Sequence, residues 1–179
     1  MKRKIERLSN TVINQIAAGE VVEYPASIVK ELIENSLDAG SSWISIETLE
    51  GGQEKIKIED DGFGMNKEEA LLALERHATS KISDIEDLNS LKSMGFRGEA
   101  LAAIASVSKL EVKTSDGGSG TQLNADAGEV LSVVTCARNQ GTTIEISSLF
   151  HNVPARKKFQ KSARANNTQI RRTIETLCL

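Results

Sequence analysis

The stretch Trp43 to Met65 reads WISIETLEGGQEKIKIEDDGFGM. Ile44 and Ile46 alternate with Ser45 and Glu47, Gly51-Gly52 interrupts, and Ile56 and Ile58 alternate with Lys55, Lys57 and Glu59. A period of two on both sides of paired glycines predicts an antiparallel hairpin, with the loop DDGFGM leaving its second strand.

Upstream the period lengthens. Pro25 stands where the first helical residue should be and Ala39-Gly40 offers a stop, which predicts a helix over 25–38. Ile28, Val29, Leu32 and Ser36, flanked by Ile33 and Leu37, form its expected buried side. Before it, Val12, Ile13, Ile16, Ala17 and Val21 are spaced for a short helix, broken or turned near Gly19.

Downstream, Asn66 and Glu69 have capping-box spacing for a helix running to about His77. Ser83 with Glu86 has the same spacing for a shorter one. The polar, glycine-punctuated stretches HATSK and SMGFRG read as a long mobile loop around it. Glu99 to Ser106, EALAAIAS, is helical by propensity. Strand-like alternation returns at Leu110, Val112, Leu123, Val130 to Val134, Ile144 and Ile146. Helices set apart from a run of antiparallel strands predict an α+β fold, a two-layer sandwich of helices on a mostly antiparallel sheet.

The 179 residues suit one ordinary domain, with 39% hydrophobic and 26% charged residues in a soluble, globular balance. No apolar run approaches the roughly 18 residues of a membrane span. The start MKRKIERLSN has no signal-peptide core, which predicts an intracellular chain. Two cysteines and two histidines provide neither a disulfide framework nor a zinc-spaced cluster. Aromatics at 3% argue against a base-stacking platform.

The net charge of -3 is unevenly spread: from His151 onward Arg156, Lys157, Lys158, Lys161, Arg164, Arg171 and Arg172 face the single acid Glu175. That basic end fits either a polyanion contact or a solvated helix face.

Within the 25–38 helix, Glu31, Glu34, Asn35 and Asp38 fall on one stripe at i, i+3, i+4 and i+7. None of its carboxylates has a lysine or arginine four residues further on. The stripe fits a solvated face, or the wall of a site for a divalent cation. In the second case Asn35 would supply one neutral oxygen to Mg²⁺ and Glu31, one turn away, a base. A buried Asp in Asp60 to Gly64 (DDGFG) could accept from an exocyclic amine while the glycines admit a flat ligand; a tight Asx-capped turn is the alternative. Gly95 and Gly98 precede a helix whose free amides suit phosphate, or form a flexible loop ending at an N-cap. Thr142, in GTT at the head of the last strand, could reinforce a polar contact. Neither a P-loop nor a G-x-G-x-x-G fingerprint is present.

In this order, E-x-x-x-N on a helix, D-x-G-x-G after a strand, G-F-R-G-E-A-L and G-T-T resemble the motif series of the GHKL ATPases. The blocks NQIAAGEVV (Asn14 to Val22), KELIENSLDAG (Lys30 to Gly40), RHATSKI (Arg76 to Ile82) and GFRGEALAAIASVS (Gly95 to Ser108) are similar to the MutL family of DNA mismatch repair proteins. The resemblance runs from about Leu8 to Phe159.

It implies ATP and Mg²⁺ as cofactors, Glu31 as the base aligning the attacking water, and Asn35 as the Mg²⁺ ligand. Asp60 would bind the adenine amine, with Thr142 supporting that contact, Gly64 beside the base and Asp38 at the same site. Lys81 and the segment 76–98 would form an ATP lid. Gly95, Arg97 and Gly98 would wrap the phosphates, with Phe96, Glu99, Ala100 and Leu101 in the same nucleotide site. Tyr24 stands where the family usually has Arg, Asp61 where Asn is common, and Val153 where Thr is usual.

The resemblance further implies a homodimer on ATP binding, in which the segment before Glu23 takes part. It implies a mismatch-recognition protein and a downstream repair nuclease or helicase as partners, and DNA contact through the basic end. The location expected is cytoplasmic and nucleoid-associated, or nuclear in a eukaryote. Residues 1–179 are expected to be one ATPase domain without the family's following transducer subdomain or C-terminal dimerisation region. Such a fragment would keep its nucleotide pocket but turn ATP over slowly or undetectably, with Ile170, Ile174 and Leu177 of the last helix exposed. Two other readings share the pocket. One is an adaptor module that binds nucleotide without turnover, and the other a histidine-kinase catalytic domain, for which neither His77 nor His151 sits in a plausible phosphoacceptor helix.

Overall fold

In the computed structural model, which describes residues 6–7, 10–75, 78 and 99–178, six strands make one antiparallel sheet. They are β1 (Ile44–Leu49), β2 (Lys55–Asp60), β3 (Lys109–Ser115), β4 (Gly120–Asp126), β5 (Glu129–Cys136) and β6 (Gly141–Ser147). Their order across the sheet is β1-β2-β6-β3-β4-β5, so the last strand inserts between the first hairpin and β3. The helices are α1 (Asn10–Val21), α2 (Pro25–Asp38), α3 (Lys67–Leu72), α4 (Ala100–Ser106), α5 (Pro154–Lys158) and α6 (Ala163–Leu177).

The alternation read in the hairpin is realised in register, Ile46 opposite Ile58 and Thr48 opposite Ile56. Ile56, Ile58, Leu110, Val112, Leu123 and Ile146 are buried on the helix-covered face, where they join Ile28, Val29, Leu32 and Ile104 in one core. Each such side chain contributes about 1.5–3 kcal/mol through burial. The opposite face carries charge in cross-strand rows: Glu47 faces Lys57, and Lys57 faces Glu145. An antiparallel sheet tolerates one polar face in this way.

The helix expected over 25–38 is α2, with Pro25 at its start and Gly40 left-handed at φ 69 just past its end. Its apolar side is as expected except at Leu37, which is 51% exposed. One residue beyond buried Ser36 is 100° round the helix, which carries Leu37 off the core.

The helix α1 runs unbroken through Gly19, contrary to the expected break. Gly19 instead makes room: a Cβ there would lie 1.8 Å from Nη2 of Arg156. The capping box forms, Asn66 accepting from the amides of Glu68 and Glu69 while Glu69 accepts from that of Asn66. However, α3 ends at Leu72 rather than near His77. Its last turn tightens, Leu74 N donating to Leu71 O and Glu75 N to Leu72 O, a three-residue spacing that closes helices. Both His77 and the shorter helix expected at Ser83–Glu86 lie outside the described residues.

The largest correction concerns α6. It folds back onto α2 and the hairpin turn instead of projecting, so Ile170 is 4% exposed and Ile174 and Leu177 are half-buried against the core. The turn at Glu50–Gly52 is its seat: a Cβ on Gly51 would lie 2.6 Å from Ala163 O, and Gln53 Nε2 donates to Lys161 O at 2.7 Å. No described helix is long and apolar enough to cross a membrane.

Candidate functional site

Asp60 ends β2 and is buried at 6% exposure. A buried carboxylate needs donors, and among the described residues three reach it. The amides of Gly62 (3.0 Å) and Thr142 (3.2 Å) donate to Oδ1, and the Ser36 hydroxyl lies 2.8 Å from Oδ2. Ser36 Oγ is also 3.0 Å from Leu32 O, so its single proton sits between two acceptors. A carboxylate offers about four acceptor directions, and the donors among the described residues leave one of them, on Oδ2.

Ser36 ties α2 to the sheet at this point. Asn35 directly precedes it and Glu31 lies one turn earlier; both are half-buried, and Asp38 is exposed at the end of the helix. The acidic stripe is not left without a cation, as the count of residues further on suggested. Lys30, four residues before Glu34, pairs with it at 3.0 Å.

The loop after β2 is held by close backbone approaches. Gly64 has φ 65, and a Cβ there would lie 1.9 Å from Ser115 O. Gly141 has φ 120, and its Cβ would lie 2.2 Å from Asp60 O. Both positions therefore require glycine on steric grounds within the chain itself. Met65 N donates to Thr114 Oγ1 at 2.9 Å, and the hydroxyls of Thr114 and Thr142 are 2.9 Å apart. It is thus the amide of Thr142 that meets Asp60, its hydroxyl being turned to Thr114. Asp61 accepts from the amides of Ser42 (2.7 Å) and Trp43 (3.0 Å) and from the Ser42 hydroxyl. The Ser42 hydroxyl above all, then the Trp43 amide, holds its carboxyl below the usual carboxylate range.

Glu99, Ala100 and Leu101 stand at the head of α4, which packs on α1, β3 and β4, and Leu101 is half-buried against the core. Lys81, Gly95, Phe96, Arg97 and Gly98, and with them the lid segment apart from Ala78, lie outside the described residues. Of the basic end, Lys157, Lys158, Lys161, Arg164, Arg171 and Arg172 are exposed. Arg156 is not among them: it turns inward against Gly19, with its guanidinium 5.8 Å from the Phe150 ring centroid.

Two residues of the Asp60 seat carried no functional expectation. Ser36 was placed only on the buried side of α2, and Thr114 not at all. The available signal was a hydroxyl on an apolar face, which must find a partner when buried.

Residues 22–159 match the family described as histidine kinase-, DNA gyrase B-, and HSP90-like ATPase. The chain is 52% identical to the DNA mismatch repair protein MutL of Chlamydia muridarum over 177 residues, 98% of this chain and 31% of that protein. Against MutL of Caldanaerobacter subterraneus subsp. tengcongensis the identity is 50%, over 98% of this chain and 30% of that one. It thus spans about a third of the length of these curated relatives. Among solved structures, the N-terminal domain of a DNA repair protein matches at TM-score 0.75 and 33% identity, covering 90% of this chain and 47% of that one. The Aquifex aeolicus MutL ATPase domain complexed with ADP matches at TM-score 0.66 and 28% identity, over 86% and 54%. With most of its length matched, the chain belongs to the histidine kinase-, DNA gyrase B- and HSP90-like ATPase family.

Proposed function

We propose that the chain is the ATP-binding and ATP-hydrolysing part of a MutL-type DNA mismatch repair protein. The observation that carries this is the seat of Asp60: a buried carboxylate oriented by Ser36, Gly62 and Thr142, with one acceptor direction remaining among the described residues. Asp60 accepts the exocyclic amine of adenine, and its two oxygens discriminate against bases that present a carbonyl there. Gly64 brings the loop backbone alongside the base. Glu31 aligns and deprotonates the water that attacks the γ-phosphate.

The residues present fit Mg²⁺. The described residues hold no group of three or more His, Cys, Asp or Glu that could cage a metal, while Mg²⁺ commonly takes one or two protein oxygens and completes its shell with phosphate and water. Asn35 would hold it, with Asp38 at the same site, and the chemistry it would supply there is neutralisation of charge on the phosphates. Lys81 and the segment 76–98 close over the nucleotide, with the stretch from Gly95 to Leu101 at its phosphates.

In the whole protein this site drives a conformational and dimerisation switch between mismatch recognition and a downstream nuclease or helicase, in the cytoplasm with the nucleoid. DNA meets the six exposed cations from Lys157 to Arg172, while Arg156 serves the interior. Glu31→Ala in the full-length protein tests the central claim: steady-state hydrolysis should fall about 10²–10⁴-fold while Mg²⁺-dependent binding of a non-hydrolysable ATP analogue persists. Unchanged hydrolysis would remove Glu31 from the reaction, and absence of analogue binding to the parent chain would remove the site.

A further inference from the structure

The connection between β5 and β6 carries Arg138, a residue in none of the motifs above. Its side chain is 15% exposed, and its guanidinium spans two consecutive residues of β2. Nη1 donates to Glu59 Oε1 at 2.9 Å and Nη2 donates to the main-chain carbonyl of Asp60 at 3.0 Å. Its own backbone is seated tightly, since a Cβ on Gly120 would lie 2.8 Å from Arg138 Cβ.

The carbonyl of Asp60 is thus gripped from outside by Arg138 and pressed by Gly141, while the carboxylate is gripped on the core side by Ser36, Gly62 and Thr142. Asp60 is the last residue of β2 and the last in register, opposite Ile44 on one side and Thr142 on the other, so the peptide that follows it leaves the sheet. A planar fork bonding both a side-chain carboxylate and the neighbouring carbonyl restricts rotation of that last peptide. Rotation there would swing the Cα–Cβ direction and with it the aim of the carboxylate, which recognition requires to be held within about 0.5 Å.

We infer that Arg138 is a positioning residue for base recognition: it sets the aim of Asp60 and so the preference for adenine over guanine nucleotides, without touching the nucleotide. This rests on the reading of Asp60 as the adenine acceptor. Glu59 is the weaker arm, because its other oxygen already has Lys57 at 3.5 Å and it lies on the solvated face.

The experiment measures binding of non-hydrolysable ATP and GTP analogues, KM and kcat in the full chain, for the parent, Arg138→Gln, Arg138→Lys, Glu59→Gln and Asp60→Asn, with melting curves for each. Arg138→Gln should weaken the ATP analogue about 5–20-fold and narrow the adenine-to-guanine ratio, raising KM while kcat stays within about twofold, the scale of a lost charge-assisted bond. Arg138→Lys should recover little, since one ammonium cannot span both acceptors, and Glu59→Gln should change affinity less than about twofold. If Asp60→Asn weakens binding but both Arg138 variants keep the parent affinity and base ratio, the inference is overturned and the adenine reading stands. If Asp60→Asn also binds normally, the adenine reading fails first. Should both Arg138 variants fail to fold while Asp60→Asn folds, Arg138 is a stability residue and the inference is equally overturned.

Discussion

The seat of Asp60 and the seam between α1 and α5 each depend on a glycine that lets two parts of the chain touch, but they are built on opposite terms. At the seat, Gly64 and Gly141 bring backbone against backbone, and the buried carboxylate has three donors. At the seam, Gly19 admits the tip of a flexible side chain, Arg156. There Arg156 Nη1, Asn152 Oδ1 and Gln160 Oε1 are buried without a hydrogen-bond partner among the described residues. A fully satisfied polar cluster is rigid and specific, whereas an incompletely satisfied one is costly and easily rearranged. The Asp60 carboxylate is met by donors on both oxygens, whereas those polar atoms around Arg156 have no partner among the described residues.

Gly64→Ala should show the largest effect. Its Cβ would meet the Ser115 carbonyl at 1.9 Å in a left-handed conformation, so strain and overpacking together should remove about 2–5 kcal/mol of stability in denaturant unfolding. A loss under about 1 kcal/mol would mean the seat yields. Asp60→Asn should weaken nucleotide binding by about 1.5–3 kcal/mol, the worth of a charge-assisted bond, read by calorimetric titration; unchanged affinity would remove Asp60 from the site.

Gly19→Ala sharpens the contrast, since its Cβ would sit as close to a neighbour, 1.8 Å from Arg156 Nη2. That atom can swing aside, and alanine gains about 1 kcal/mol of helix propensity over glycine. The net change in stability should stay within about 1 kcal/mol, and a loss as large as that of Gly64→Ala would erase the distinction.

The smallest effect is at Asp61. Its carboxyl is held down by the Ser42 hydroxyl and the Trp43 and Ser42 amides, so the folded pKa lies below the unfolded value of about 3.9. The stability it contributes is present above that value and lost as pH falls through the folded one. Asp61→Asn should flatten the acid limb of melting temperature against pH below about 4 and leave neutral pH nearly unchanged; an unaltered acid limb would show that this contact is not linked to folding.

The reading of the hairpin, the Pro25 start and the Asn66–Glu69 cap came from signals spanning a few residues, and all three are local physics: pleat, fixed φ and unsatisfied first-turn amides. The misreadings share another origin. Gly19 looked like a break because its neighbour, Arg156, is 137 positions away, and α6 looked exposed because its partner is the turn at Gly51. The missed pair of lysine and glutamate at 30 and 34 was legible, lying on the N-terminal side of the stripe that was counted only forward.

Amino-acid order by itself determined the strands and most of the helices (α5 at Pro154–Lys158 carried no expectation), the α+β class and, through blocks such as KELIENSLDAG and GFRGEAL, the likeness to one ATPase family, because periodicity, caps and motifs are carried by near neighbours. Only the tertiary structure decided which donors orient Asp60, which face hides Arg156 and what Arg138 grips. Those partners lie 24, 82 and 78 residues apart for Ser36, Thr142 and Arg138 relative to Asp60; the packing of α2 on β2 brings up the first, and the insertion of β6 between β2 and β3 the other two, neither of which any local signal encodes.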